Sequence, residues 1–335
     1  MVIRANKRSS LDSIQYLRAA SASLVVLFHA GRNYDITIPV GEGRISLFFI
    51  VSGFIFWWIT AGSRGSPRIF LLRRLARLVP LYWVVTLLLF AGSVLGVSHH
   101  APVSISHVVK SLLFIPHVDE RSGQIFPVLV PGWTLVYEML FCFIFACLLW
   151  IAERWRLLVA TAVFGGLGAA GFVFHPTDPI ALTYTNEIML EFLAGVWLAW
   201  LWPRIGLPKA AALGILVLGG VLSFVAQSYQ HQLPSVLYSG VPALLTIVGA
   251  LGLERPGLKP IGWLKRIGDS SYSIYLWHMP VIVLGSRALP LAHIHSPGVS
   301  IGILTAASVV AGLILYPLTE RPLTEALFRR IDARA

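Results

Sequence analysis

Residues 11–32, LDSIQYLRAASASLVVLFHAGR, decide the fold, because they form an apolar segment that contains an arginine and a histidine. A charged side chain at the centre of a bilayer costs about 2.5–3.5 kcal/mol on insertion scales, so each needs a reason to be there. Arg18 and His29 lie on one face of a helix, about 16 Å apart along its axis. One alternative is that Arg18 extends to the lipid headgroups and His29 ends the helix. The shared face favours a functional role for both.

The composition is that of an integral membrane protein, with 56% hydrophobic and 12% charged residues. Soluble domains carry about 25% charged residues. About twenty apolar residues span a bilayer, and the chain offers ten such segments. We therefore predict an all-α integral membrane protein, a bundle of about ten transmembrane helices. The segments are residues 13–31, 45–62, 78–97, 133–151, 155–174, 186–202, 211–227, 236–253, 271–289 and 299–318.

The positive charges predict the orientation of these helices. Of the 26 lysines and arginines, 20 fall in loops on one side and 5 on the other, with Arg18 inside the first helix. Cytoplasmic loops carry the excess of lysine and arginine, so both termini are predicted to be cytoplasmic. This asymmetry accounts for the net charge of +11 without nucleic acid. We expect one membrane domain over residues 1–335, with short basic cytoplasmic tails at 1–10 and 321–335.

Cysteine and histidine spacing predicts neither a disulfide nor a metal site. Cys142 and Cys147 point to different faces of one helix. One long outer loop, residues 99–131, contains SISHVVKSLLFI, which is too short to span the bilayer. The histidines in or near the outer loops match no zinc pattern; they are His99, His100, His107, His117, His293 and His295.

A cluster of three arginines, at positions 73, 74 and 77, follows the second predicted span, in RIFLLRRLARLVPLYW at residues 68–83. Arg74 and Arg77 are three residues apart and share a helix face, with Arg73 beside them. Guanidinium groups match phosphates bidentately, so this cluster suits a phosphate-bearing ligand at the cytoplasmic side. On charge alone, ordinary anchoring of the helix at the membrane surface is the favoured alternative.

An intramembrane carboxylate occurs in PGWTLVYEMLFCF at residues 131–143. Glu138 lies about 8 Å past Trp133, measured from the outer end of its span. His29 lies at a similar depth, so we predict that Glu138 orients the imidazole of His29. The alternative is a carboxyl group bonded to a backbone or hydroxyl group.

A polar stripe runs along GDSSYSIYLWHMPV at residues 268–281, where Tyr272, Tyr275 and His278 recur every three residues. Aromatic residues near membrane interfaces explain Tyr272, but they do not explain His278, about 10 Å further in. On another predicted span, residues 186–202, Glu187 and Glu191 share a helix face at the outer end. The two alternatives for this pair are contact with a polar acceptor and contact with a neighbouring helix.

Taken together, six stretches resemble the acyltransferase 3 family of bacterial membrane acyltransferases, in its short exopolysaccharide-type form. They occur in family order over residues 11–328, and each is weak alone. Gly-Trp-Thr-Leu stands where Trp-Ser-Leu is usual. The matching residues are Arg18 and His29 in the first helix, Ser52 and Gly53 in SLFFIVSGFIFW, Arg74 and Arg77, Glu138, Tyr272 with His278, and Glu320 in YPLTERPL.

The resemblance implies transfer of an acyl group, usually acetyl, from cytoplasmic acyl-CoA to a hydroxyl of a cell-surface glycan or glycolipid. Acetyl-CoA is then a donor substrate, and no cofactor is bound permanently. His29 and Glu138 are the expected catalytic pair, with His29 as general base or acyl carrier. Donor binding is expected at Arg18, Arg73, Arg74 and Arg77, and substrate or structural roles at Ser52, Trp133, Tyr272, Tyr275, His278 and Glu320.

The resemblance also implies a multi-pass protein of the bacterial inner membrane, in contact with lipids and with polysaccharide synthesis proteins as further partners. Two other classes remain as alternatives. One is a transporter or flippase of lipid-linked glycans, although internal repeats and interrupted helices are not evident. The other is a non-catalytic subunit of a polysaccharide synthesis complex. Acetyl-CoA hydrolysis or transfer by the purified protein separates the enzyme from both.

The charge asymmetry makes a direct prediction about topology. Reporter fusions at Gln230 and at the C-terminal Ala335 should report opposite sides of the membrane, because an odd number of predicted spans separates them. Paired phosphatase and fluorescent-protein fusions measure this in cells. The same side for both positions would contradict the ten-span arrangement.

Overall fold

A computed structural model describes residues 11–38, 43–62, 65–96, 103–229, 232–254 and 259–333 of the 335-residue chain. These residues form helices and turns, and no β-strand occurs among them. The predicted tail at 1–10, His99 and His100, and the fusion positions Gln230 and Ala335 lie outside the described residues. The helices are α1 (Asp12–Arg32), α2 (Gly43–Thr60), α3 (Pro67–Val94), α4 (Ile105–Leu112), α5 (Trp133–Leu148), α6 (Glu153–Phe174), α7 (Pro179–Tyr184), α8 (Ile188–Leu201), α9 (Lys209–Val225), α10 (Val241–Gly252), α11 (Gly262–Asp269), α12 (Ser271–Leu291), α13 (Pro297–Leu315) and α14 (Arg321–Asp332).

The helices confirm a multi-pass membrane protein. All ten predicted spans coincide with helices. Eight of these helices fall into two groups by length and hydropathy, whereas α1 and α8 fall into neither. The count of ten spans and the side of the termini stay predictions. Three apolar helices of the described chain are shorter than a full span, namely Ile45–Thr60, Lys209–Val225 and Val236–Gly252. Five are long and apolar enough to cross a bilayer, namely Pro67–Val94, Val130–Leu148, Glu153–Phe174, Ser271–Leu291 and Pro297–Asp332.

Helix α1 packs against α2, α10, α11, α12 and α13. Its first backbone N–H groups are satisfied by a carboxylate that is distant in sequence. Asp12 N and Ser13 N donate to the two carboxylate oxygens of Glu254, at 3.1 and 2.9 Å. Negative charge at a helix N-terminus is favourable, because the first N–H groups have no partner within the helix. The loop after α10 therefore fixes the start of α1.

Helices α2 and α8 approach each other at two glycines. A Cβ atom at Gly53 would lie 2.0 Å from the carbonyl oxygen of Phe192, and one at Gly195 would lie 2.0 Å from that of Ile50. Small residues allow such close packing between membrane helices, where van der Waals contact drives association. Gly53 directly follows Ser52, so this seam fixes the position of a predicted site residue.

The predicted cytoplasmic loops meet at one end of the bundle, which we call the inner end. Gly62 N, after α2, donates to Glu153 Oε2 at the start of α6, at 2.9 Å. The C-terminal segment predicted as a tail is instead helix α14, which packs on α3. An ion pair of 2.7 Å between Arg321 and Glu325, one turn apart, supports this helix.

The opposite, outer end is formed partly by the loop that the sequence singled out. Its helix α4 has 8 residues and does not span the bilayer. Tyr82 Oη donates to the carbonyl of Ser111 at 3.0 Å, and Trp83 Nε1 donates to that of Leu112 at 2.9 Å. These bonds attach α4 to α3 and confirm the prediction that SISHVVKSLLFI is too short to cross.

The two glutamates before and within α8 serve the packing of neighbouring helices. The backbone N–H groups of Ser235 and Val236 donate to Glu187, at 2.7 and 3.1 Å. Ser46 Oγ in α2 donates to Glu191 Oε1 at 2.8 Å. Of the two alternatives for these residues, the structure favours the neighbouring helix.

The close approach at Gly53 predicts a loss of stability on substitution. Gly53→Ala should lower the unfolding temperature in detergent, because overpacking typically costs about 1–3 kcal/mol and the obstructing atom belongs to a backbone carbonyl. Gly214→Ala is the matched control, since a Cβ there meets nothing within 4 Å. Equal unfolding temperatures for the two variants would contradict the packing of this seam.

Candidate active site

A cavity of about 570 Å³ opens at the inner end and extends between α1, α2, α3, α5 and α12. We call it the inner cavity. Ser66 and Leu78 both line it, and the helix between them is about 18 Å long. The structure thus brings together eight of the twelve predicted site residues along this cavity. They are Arg18, Ser52, Arg73, Arg74, Arg77, Glu138, Tyr272 and Tyr275.

Three arginines lie inside the bundle on the wall of this cavity. Arg74 and Arg77 both line it, which confirms that they share a helix face. The Arg74 Cζ atom lies 4.2 Å from the centre of the Phe56 ring, a distance at which the cation and the ring attract each other. Arg77 is the cation whose charge acts most strongly on Arg18. Like charges inside an apolar bundle repel strongly, so the cluster favours an anionic ligand.

Arg73 differs from the other three because it lies at the mouth of the cavity. Its Nη2 atom is 2.6 Å from Asp332 Oδ1 in α14, and both side chains are about half exposed, at 49% and 53%. Its Cζ atom also lies 6.0 Å from the Phe328 ring, and Phe328 lines the cavity. The sequence analysis missed this contribution of α14, because it treated residues 321–335 as a tail.

Glu138 faces the arginines from α5. The charge of Arg74 acts on it most strongly, followed by Arg77, and the Ser52 hydroxyl group also interacts with it. That Glu138 orients the imidazole of His29 stays a prediction. Equal depth along two helices fixes a level in the membrane but not the direction in which each side chain points.

A second carboxylate lies behind the arginines, outside the lining of the cavity. Glu320 is 4% exposed and accepts a hydrogen bond of 2.7 Å from Ser273 Oγ in α12. The charges of Arg77 and Arg18 act on it. Glu320 is therefore placed to act as a buried counter-charge to these arginines, and its role stays a prediction.

Two tyrosines of α12 line the deep part of the inner cavity. Tyr272 Oη donates to the carbonyl of Leu78 at 2.5 Å, and Tyr275 Oη donates to that of Pro131 at 2.8 Å. Thr134 Oγ1 lies 2.8 Å from Tyr275 Oη and also lines the cavity. Sequence reasoning missed Thr134, although a hydroxyl group in the first turn of the Glu138 helix was a usable signal.

The two histidines predicted inside the membrane are neighbours. The ring centres of His29 and His278 are 5.1 Å apart, and the His278 ring is 6.1 Å from that of Tyr275. Their rings therefore contact each other inside the bundle. Helices α1 and α12 pack together and begin at similar levels, since Gly268, just before α12, packs on the Gln15 carbonyl in the first turn of α1.

Trp133 lies away from the inner cavity. It lines a separate cavity of about 280 Å³ near the outer end, which we call the outer cavity. Phe49, on the wall of the inner cavity, contacts Trp133 at 6.3 Å and Tyr137 at 5.8 Å between ring centres. The Phe49 ring on one side and the Trp133 and Tyr137 rings on the other therefore form the partition between the two cavities at this point.

The described residues contain no group of three or more metal-ligating side chains. His107 and His117 in the outer loop do contact each other, with Nδ1 of the first 3.2 Å from Nε2 of the second. Burial lowers the pKa of His107 below its ordinary value, and the neighbouring His117 lowers it further. Cys142 and Cys147 are free thiols in the structure.

Comparison with known proteins gives one family and several relatives. The acyltransferase domain model Acyl_transf_3 matches residues 11–317. The exopolysaccharide production protein ExoZ of Rhizobium meliloti (strain 1021) is 34% identical over 307 residues, covering 89% of this chain and 94% of ExoZ. BcsY of Komagataeibacter xylinus, provisionally named a membrane-bound transacylase, is 30% identical over 340 residues, covering 94% and 83%.

A more distant relative is the peptidoglycan O-acetyltransferase OatA of Listeria monocytogenes serovar 1/2a (strain ATCC BAA-679 / EGD-e). It is 24% identical over 360 residues, which cover 94% of this chain and 56% of OatA. No solved structure matches the chain. The domain match runs over nearly all of the residues that build the bundle and its inner cavity, so this membrane protein belongs to the acyltransferase 3 family and is an acyltransferase.

Proposed function

We propose that the protein is an O-acyltransferase that moves an acyl group, preferentially acetyl, from cytoplasmic acyl-CoA to a hydroxyl group of a cell-surface or extracellular glycan. It acts from the bacterial inner membrane through ten spans, with both termini in the cytoplasm. Acetyl-CoA is a donor substrate in this account and not a resident cofactor.

The inner cavity carries this proposal. Coenzyme A combines several phosphate charges with a long neutral arm that ends in the thioester. The cavity has the same order: Arg73 at the mouth, then Arg74 and Arg77, then the neutral deep part at Tyr275. Guanidinium groups bind phosphates with two parallel hydrogen bonds, and they do so more strongly where water is excluded.

The relatives support a glycan as the acceptor. ExoZ is named for exopolysaccharide production and OatA for O-acetylation of peptidoglycan. Both names describe polysaccharides that lie outside the cytoplasm, whereas acyl-CoA is cytoplasmic. The acyl group therefore has to cross the level of the bilayer, and the inner cavity extends about 18 Å in that direction.

His29 and its neighbours supply the chemistry in this proposal. The acceptor oxygen attacks the thioester carbonyl, its proton passes to neutral His29, and the CoA sulfur leaves as a thiolate that takes up that proton. In the alternative route, a His29 nitrogen first takes the acyl group and then gives it to the acceptor. Tyr275 lines the cavity and lies next to His278, so the ring pair His29–His278 is adjacent to the deep part of the cavity. Rapid acid quench with labelled acetyl-CoA distinguishes the routes, because only the second leaves label on the protein.

The donor assignment predicts the effect of changing Arg77. Arg77→Ala should weaken acetyl-CoA binding by about 10- to 100-fold, since a hydrogen bond to a charged group contributes about 1.5–3 kcal/mol. Arg77→Lys should restore only part of it, because an ammonium group lacks the planar fork. Titration calorimetry in nanodiscs measures the affinity. Arg68→Ala is the control, as Arg68 is exposed on the same helix and does not line the cavity. Equal affinity in the Arg77 and Arg68 variants would reduce the cluster to membrane anchoring.

The catalytic assignment predicts a different pattern for the histidines. His29→Ala should reduce acyl transfer by about 10²–10⁴, the usual contribution of a positioned general base, while acetyl-CoA still binds. His278→Ala should cause a smaller loss, because His278 is fully buried and acts on the reaction through its contact with His29. His295→Ala, exposed near the outer end, is the control. Near-normal turnover in His29→Ala would remove it from the reaction.

A further inference from the structure

The outer cavity has no part in the function proposed so far. Its volume of about 280 Å³ equals that of about nine water molecules at about 30 Å³ each. Its walls come from the loop after α4, from the first turns of α5 and from α7. It therefore lies where the long outer loop covers the start of the helix that carries Glu138.

The charge of the wall limits what the outer cavity binds. No lysine, arginine, aspartate or glutamate lines it in the described part of the chain. The phosphates of CoA would lose their hydration there and gain no opposite charge in return, which is strongly unfavourable. The inner cavity, with four arginines, has the opposite character. The outer cavity therefore suits a neutral ligand.

The shape of the wall limits the ligand further. The rings of Trp133 and Tyr137 meet at 86° with centres 5.8 Å apart, so they form two sides of a corner. Phe114 and Phe126 complete the aromatic lining. Rigid aromatic surfaces offer large contact areas at low entropic cost. They match a compact ring with apolar C–H faces, and the volume admits one such ring but not a chain of them.

Polar groups stand at fixed positions in the same wall. The Asn186 side-chain oxygen accepts a hydrogen bond of 3.0 Å from Ile188 N, which leaves its NH₂ group to donate to a ligand. The His117 ring is held by the carbonyl of Ile115 at 2.7 Å and by His107 at 3.2 Å. A mostly apolar pocket with a few placed polar groups is the usual design for an oriented small ligand. A neutral ring with hydroxyl groups at its rim satisfies both features.

The position of the outer cavity connects it with acyl transfer. Consecutive residues of α5 face the two cavities, Thr134 the inner and Trp133 the outer. Between them the Phe49 ring contacts both Trp133 and Tyr137. A ligand in the outer cavity is thus separated from the inner cavity by the ring of Trp133 or Tyr137 and by the Phe49 ring behind it.

We propose that the outer cavity binds one neutral pyranose unit of the acceptor, stacked on Trp133 and Tyr137 and hydrogen-bonded by Asn186, with a hydroxyl group facing the Phe49 wall. This rests on the proposed function, since that function makes a glycan the acceptor. Displacement of the Phe49 ring together with the Trp133 or Tyr137 ring then joins the acceptor to the acyl end of the donor.

Cysteine protection tests the site in the purified full chain. In a Cys147→Ser background, Leu182→Cys places a thiol in the outer cavity and Ser66→Cys places one in the inner cavity. The measurement is the rate of labelling by N-ethylmaleimide, with methyl gluco-, galacto- and mannopyranoside or acetyl-CoA as the protecting ligand. Asn186→Cys replaces Leu182→Cys if the latter fails to fold.

At least one pyranoside should slow labelling of Leu182→Cys by about tenfold when present at ten times its dissociation constant, and it should not protect Ser66→Cys. Adding Asn186→Leu should raise the pyranoside concentration needed. No protection by any pyranoside, or equal protection by glycerol, overturns the proposal. Failure of acetyl-CoA to protect Ser66→Cys contradicts the donor assignment instead, so the two failures are distinguishable.

Discussion

The interior of this protein depends on three guanidinium groups that line a cavity inside an apolar helix bundle. Arg18, Arg74 and Arg77 come from two helices and repel one another, with Glu138 and Glu320 as the carboxylates among and behind them. Isolated buried charges are so unfavourable that the surrounding helices have to satisfy them. The positions of α1, α3, α5 and α12 relative to one another follow from this requirement.

The two carboxylates do not balance all three arginines, so the cluster keeps an excess of positive charge. This excess makes the lining toward the inner end chemically different from the lining toward the outer end. Toward the inner end the wall is charged and continues to Arg73 and its ion pair with Asp332. Toward the outer end it becomes neutral and aromatic at Tyr275, Phe49 and Trp133. A reaction between a polyanionic donor and a neutral acceptor needs two such compartments with a thin partition. A transport path for one kind of substrate would instead have similar lining on both sides.

Much of the fold could be predicted from the sequence, because bilayer thickness imposes a length on each helix. The shared face of Arg74 and Arg77 followed from helical periodicity. The orientation of His29 by Glu138 stays a prediction, since equal depth along two helices does not determine the direction of a side chain. The contact of His29 with His278 could not be predicted from the sequence for a related reason. The level of α12 relative to α1 depends on the packing of Gly268 on Gln15, which only the structure shows. Helix α14 was missed because its apolar residues are too few for a membrane span.

The central claim is that acyl-CoA enters from the arginine-lined side and that the acyl group leaves on the other. Proteoliposomes with the protein in one known orientation test it most directly, with acetyl-CoA supplied on one face and a glycan acceptor on the other. The account predicts acetylated acceptor only when acetyl-CoA is on the face where Arg73 and α14 lie. Transfer that requires both substrates on the same face would contradict it.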